Sequence, residues 1–121
     1  MTIESLSAVT LIVADMARSV GFYEALGFER LYGGPDERFT SYRAGTSYLN
    51  LMLSGRDDPR PQRLWGRTIF YVDDVDVQHR QALDAGLTPE AAPRDAAWGE
   101  RYFHLRDPDG HELSFAKPLE G

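Results

Sequence analysis

The chain carries its own internal copy. Aligning Asp15 with Asp74 places Val13 on Val72, Met16 on Val75, Gly27 on Gly86 and Phe28 on Leu87 without a gap, and both Asp-to-Gly intervals are twelve residues long. A unit of about fifty residues cannot hide its apolar surface alone, so two such units are expected to share one sheet or one core. Folds of this kind leave a concave face between their halves, where function is to be sought.

Each copy has the same order of signals. In the first, Ser7 to Ala14 alternates as a strand, Asp15 is placed to cap a helix from Ala17 to Leu26, and Gly27 supplies the left-handed stop. An extended segment from Phe28 to Tyr32, a turn at Gly33-Gly34-Pro35-Asp36, and strands over Phe39 to Ala44 and Ser47 to Leu53 follow. In the second, Thr68 to Val72 is a strand, Asp73 or Asp74 caps a helix over Val75 to Ala85, and Gly86 ends it. A strand near Leu87 to Pro89, a loop over Glu90 to Gly99, and a hairpin of Arg101 to Arg106 with Glu112 to Ala116 complete it. The hairpin turns on Asp107-Pro108-Asp109-Gly110, where proline presets φ and glycine accepts positive φ. The apolar stripe of the first helix is Met16, Val20, Tyr23 and Leu26, and that of the second is Val75, His79, Ala82 and Leu83. The expected class is therefore α+β: two tandem βαβββ modules forming a curved, cavity-bearing mixed sheet with helices on the outer face. One domain spans residues 1–121, with module one at about 5–54, a Pro/Gly-rich charged linker at about 55–66 and module two at about 67–117.

Composition removes several functions. The chain has no cysteine, which excludes disulfides and thiol chemistry and suits the cytoplasm. It has no apolar run long enough to span a membrane, and Met1 to Ser7 lack the pattern of a secretory leader. Nineteen acidic residues against thirteen basic ones give a net charge of −6, and Asp57 and Asp58 interrupt the best basic cluster, so nucleic acid is not an expected partner. A negative surface favours a cationic guest, or simply solubility.

The segments Val13-Ala14-Asp15-Met16, Phe22-Tyr23-Glu24-Ala25-Leu26-Gly27-Phe28, Val72-Asp73-Asp74-Val75, Trp98-Gly99 and Asp107-Pro108-Asp109-Gly110 together resemble the vicinal oxygen chelate superfamily, which holds glyoxalases, bleomycin resistance proteins and extradiol dioxygenases. The nearest resemblance is to the bleomycin resistance type. It implies a U-shaped cavity, a homodimer, and either metal-dependent chemistry or the holding of an antibiotic without changing it.

Metal-using members place histidine or glutamate at recurring points. Counted onto this chain, those points are Ala8, Arg67 and Ser114, with Leu49, four residues past Gly45, as the equivalent of Ser114 in the first module. None carries a good donor for zinc, magnesium or manganese. No metal and no cofactor is therefore expected. Of the three histidines, His79 reads as a packing residue on its helix, His111 as exposed beside the turn, and His104 as a strand residue sharing a face with Tyr102. If the pleat is regular, Glu112 and Ser114 point to the same cavity as His104, and His104 with Glu112 can form a hydrogen-bonded pair. His104 is then either a group that orients a guest or a general base. Phe22, Tyr23, Phe28, Phe70 and Phe115 read as core, whereas Trp65, Trp98 and Tyr102 lie nearer the cavity edge, where flat rings stack on a planar ligand. Arg67 reads as facing the cavity and Arg101 as a surface residue; Asp73, Asp74 and Asp76 read as capping and solvation.

The expected ligand-binding set is thus Trp65, Arg67, Trp98, Tyr102, His104, Glu112 and Ser114. The leading expectation is a metal-free, non-catalytic protein that sequesters a partly aromatic, cationic, antibiotic-like molecule in a dimeric groove. The alternative is a lyase, isomerase or dioxygenase using a non-standard metal site or His104 as base.

Overall fold

In a computed structural model, which describes residues 4–54 and 67–120, the chain divides into two compact units, Met1–Pro59 and Arg60–Gly121. The linker expected at about 55–66, and Trp65 with it, lies outside the described residues.

The first unit runs β1 (Ala8–Val13), α1 (Met16–Ala25), β2 (Glu29–Tyr32), β3 (Phe39–Ala44) and β4 (Ser47–Leu53). The second runs β5 (Arg67–Tyr71), α2 (Val75–Asp84), β6 (Arg94–Asp95), β7 (Glu100–Arg106) and β8 (Glu112–Pro118). Each forms its own four-stranded mixed sheet, in the orders β1-β4-β3-β2 and β5-β8-β7-β6. The first strand of each unit pairs in parallel with the last, and the remaining pairs are antiparallel.

The two helices are built by the same local chemistry. The carboxylates of Asp15 and Asp74, each on an extended backbone, accept from the amides of Arg18 and Val77 at 3.1 Å, which satisfies an otherwise orphaned first-turn donor. Both helices end in the same motif. Gly27 (φ 96°) and Gly86 (φ 80°) adopt a conformation costly for other residues, and this lets Phe28 donate back to the Tyr23 carbonyl and Leu87 to that of Ala82.

Each helix covers one face of its own sheet. In the first unit Met16, Val20, Tyr23 and Leu26 are buried with Leu11, Val13, Tyr42, Leu49 and Leu51. In the second, Val75 and Ala82 are buried with Phe103, Leu105, Leu113 and Phe115, and the His79 ring meets Phe103 edge-on at 5.1 Å, the packing role expected of it. Leu83 does not join this stripe: it is 52% exposed. It sits one position beyond Ala82, and 100° per residue rotates it off the covered face.

The edge strand of the second unit also differs from expectation. Leu87 to Pro89 is not a strand; the edge partner of β7 is the two-residue β6, inside the segment read as a loop. Both its residues are charged, and Arg94 pairs with Tyr102 while Asp95 pairs with Arg101. A short charged edge blunts the sheet against further pairing, and it carries no apolar alternation by which a sequence would reveal it.

The turn after β7 is tied by a single carboxylate. Asp107 is buried, and its Oδ1 accepts from the amides of Asp109 at 2.9 Å and His111 at 2.8 Å. His111 is consequently folded in rather than exposed, with 8% of its surface accessible.

Two parallel substitutions test this construction. Asp15→Ala and Asp74→Ala should each lower unfolding free energy by about 1 kcal/mol, read from denaturant titrations with unchanged slope. A loss confined to one of them would show that the two caps are not equivalent.

Candidate functional site

Side chains of paired residues point to one side of a sheet, so the ladder register of the second unit sorts its residues onto two faces. On the face turned from α2 lie Arg67, Ile69 and Tyr71 of β5, paired with Glu112, Ser114 and Ala116 of β8. Opposite those stand Arg106, His104 and Tyr102 of β7, and Arg94 of β6 opposite Tyr102. Of the expected ligand-binding set, Arg67, Tyr102, His104, Glu112 and Ser114 are thereby brought to one face. Arg101 falls on the other side: its guanidinium binds Asp76 of α2 bidentately at 2.8 and 2.9 Å and Asp95 at 3.0 Å. That use of Asp76 and the Asp74 cap account for two of the three acids at the start of α2, and the Lys117 ammonium donates to the backbone carbonyl of Asp73 at 2.9 Å.

A row of rings crosses this face. Trp98 and Tyr102 have centroids 5.4 Å apart, and Tyr102 and His104 are 5.0 Å apart. Arg94 closes one side: its guanidinium lies 4.7 Å over the Tyr102 ring, and its Nε donates to the Tyr102 hydroxyl at 2.8 Å. The Trp98 indole N–H donates to Glu100 at 2.9 Å, and the Tyr71 hydroxyl donates to the other oxygen of that carboxylate at 2.6 Å. Trp98 itself is 69% exposed, so one flat ring is presented to solvent.

Beside the rings lies a charged cluster. The Glu112 carboxylate is buried and divides its oxygens: Oε2 accepts from Arg67 Nη2 at 3.2 Å, while Oε1 stands 3.4 Å from His104 Nδ1. A second carboxylate, Glu90, comes within 3.7 Å of the same imidazole nitrogen. Its placement is fixed by backbone, since the Glu90 amide donates to the His104 carbonyl at 3.0 Å. The expected His104–Glu112 hydrogen bond is thus replaced by a wider three-group arrangement, both separations exceeding ordinary hydrogen-bond length. Burial holds the His104 pKa below the usual histidine value, with the Arg67 charge acting in the same direction and Glu112 and Glu90 opposing it.

Glu90 and Arg94 are the site residues that the linear sequence does not reveal. Both lie in the stretch read as loop, and only the pairing of β6 with β7 and the Glu90–His104 backbone bond bring them in.

The positions at which metal-using proteins of the resembling family carry donors do not form such a site. Ala8 offers no ligand atom, Arg67 is the partner of Glu112, and Ser114 is a buried hydroxyl. The assignment of Leu49 needs correction: Leu49 is buried on the helix side of its sheet. Ala8 pairs with Tyr48 as Arg67 pairs with Glu112, so Thr10 and Asn50 stand as Ile69 and Ser114 do. The equivalent of Ser114 is therefore Asn50, whose amide nitrogen donates to the Thr10 hydroxyl at 3.3 Å. A neutral amide is a weak donor for zinc, and the family's usual metal set does not fit this chain.

Comparison with known proteins follows the same line. Residues 5–115 match the family model described as the Glyoxalase/Bleomycin resistance protein/Dioxygenase superfamily. An uncharacterized protein of Mycobacterium bovis (strain ATCC BAA-935 / AF2122/97) is 31% identical over 123 residues, covering 90% of this chain and 80% of its own length. Among solved structures, TioX from Micromonospora sp. ML1 superposes with a TM-score of 0.76 at 25% identity, covering 96% of this chain and 100% of that one. A member of the same superfamily from Sphaerobacter thermophilus DSM 20745 gives a TM-score of 0.75 at 26% identity, covering 94% and 97%.

The lowered His104 pKa has a definite sign. The unfolded chain binds this proton near 6.5 and the folded protein only at lower pH. The contribution is therefore full above about 6.5 and is lost as pH falls through the folded value. Proton NMR should show His104 titrating below an ordinary histidine, and His104→Gln should flatten the stability loss that sets in as pH falls below about 6.5.

Proposed function

The chain belongs to the Glyoxalase/Bleomycin resistance protein/Dioxygenase superfamily, and from that premise we propose that it binds a small organic molecule of the antibiotic class and sequesters it without breaking bonds. The observation that carries this reading is the ring row Trp98–Tyr102–His104, flanked by Arg94 and by the Glu112 carboxylate, on a sheet face that α2 leaves uncovered. Trp98, the exposed end of the row, backed by the buried Tyr102 ring, offers a stacking surface for a flat aromatic group. Polar groups at its border fix orientation, which is the usual composition of a small-molecule site. The guest is accordingly a partly aromatic compound. The net charge of −6 favours a cationic one through long-range attraction. The unsuitability of Ala8, Arg67, Asn50 and Ser114 as a metal set supports binding over the metal-dependent chemistry of other members. On the same reading the protein works as a homodimer in the cytoplasm, the latter supported by the absence of cysteine.

Calorimetric titration with bleomycin-like glycopeptides and other planar, cationic natural products tests this. Saturable binding well below millimolar is expected, with Trp98→Ala and Tyr102→Ala each weakening it by about tenfold. Absence of binding by every such compound at about 1 mM removes the antibiotic reading.

A second reading is favoured by one specific observation. A histidine held neutral by its surroundings, as His104 is, can accept a proton from a bound substrate at neutral pH. If the protein is a lyase, isomerase or dioxygenase with His104 as its base, His104→Ala abolishes turnover while the circular dichroism spectrum and unfolding midpoint stay near those of the parent.

A further inference from the structure

We propose that Glu90, His104 and Glu112 form a three-ligand site for a divalent first-row transition-metal cation, in a place the superfamily's usual metal set does not use. This goes beyond sequestration and does not depend on it. One ligand atom from each of Glu90, His104 and Glu112 lies within 4.8 Å of the other two. The Nδ1–oxygen separations are 3.4 Å to Glu112 and 3.7 Å to Glu90. Tetrahedral zinc with bonds of about 2.0–2.1 Å holds its ligand atoms about 3.3 Å apart. These two Nδ1–oxygen spacings are too wide for direct hydrogen bonding and close to those of atoms sharing one cation, and the carboxylate-to-carboxylate side, within 4.8 Å, closes by rotation of the exposed Glu90 side chain.

The donors suit such an ion. One imidazole and two carboxylates match the borderline preference of zinc and its neighbours better than the all-oxygen preference of magnesium or calcium. The two carboxylates are the anionic donors, and the guanidiniums of Arg67 and Arg94 stand near the imidazole without competing as ligands. Three protein ligands leave at least one coordination position for water or a guest, as in sites that act on ligands rather than merely hold a fold together.

The frame of the site is fixed by backbone. His104 and Glu112 sit on neighbouring antiparallel strands in adjacent ladder positions, since His104 pairs with Ser114 and Arg106 with Glu112. Glu90 is tied to His104 by its own amide at 3.0 Å. Arg67 occupies a position where metal-using relatives keep a ligand, yet here it takes Oε2 of Glu112 at 3.2 Å and leaves Oε1 turned to His104. It is a positioning residue that orients a ligand from outside the coordination sphere.

The test is calorimetric titration of the tag-free, chelator-treated full chain with zinc ion alone, paired with nitrogen-15 NMR of the histidine side chains. One equivalent per chain is expected, with a shift of His104 Nδ1 that marks direct ligation and none at His79. Glu90→Gln, an exposed substitution that replaces an anionic donor by a weak neutral one without touching the core, and His104→Ala should each weaken binding by about tenfold or more. No uptake, uptake undiminished in either variant, or a His104 signal indifferent to zinc overturns the site. Zinc uptake by a protein that ignores every antibiotic tested would sustain this proposal and remove the sequestration reading; the reverse result would do the opposite.

Discussion

The second unit depends on the hydrogen-bonded position of β8 between β5 and β7. A strand has only two faces, and a shift of one residue exchanges them. With Arg67 opposite Glu112 on one side and His104 opposite Ser114 on the other, the apolar residues Leu113, Phe115, Phe103 and Leu105 must meet α2. The remaining residues, charged and aromatic, must then face away from it. The same register builds the core and assembles the site, so neither can be moved without the other.

What is buried on that second face is chemically unusual for a sheet surface. Glu112 keeps only 9% of its surface exposed, and Ser114 only 4%. A carboxylate so placed needs a compensating partner, and Arg67 supplies it. Its other oxygen is turned to His104, and the charge of Arg67 in turn helps to hold that imidazole neutral. The arrangement is a chain of mutual dependence: guanidinium to carboxylate, carboxylate to imidazole, and imidazole to the Glu90 carboxylate, which arrives from a different part of the chain.

The repeat made much of this legible. Glycine stops, aspartate caps and the Asp-Pro-Asp-Gly turn act locally, so both helices and the β7–β8 hairpin follow from short stretches of sequence. The face shared by Tyr102, His104, Glu112 and Ser114 follows from strand parity alone. The failures are non-local. Glu90 and Arg94 enter through pairing with β7, and nothing in their immediate neighbours signals it. Leu49 was misplaced because the two hairpins differ by one residue. Arg43 and Tyr48 enclose residues 44–47, whereas the equivalent Arg106 and Glu112 enclose residues 107–111. Counting from the turn glycine therefore lands on the wrong face, and Asn50 is the true counterpart of Ser114. The aromatic role of Trp65 lies outside the described residues.

The Arg67–Glu112 pair also limits how such a chain can diverge. Exchanging Arg67 for a histidine, the residue that metal-using cousins carry there, would strand a buried anion before any ion arrived to neutralise it. Exchanging Glu112 first would deprive the Arg67 guanidinium of its carboxylate partner and leave Glu90 as the anion beside His104. Either order passes through a poorer protein, so the step from one donor arrangement to the other is favoured only when both positions change together. A pairing that looks like a minor detail of one sheet thus couples two positions that a change of ion-binding chemistry would have to alter together.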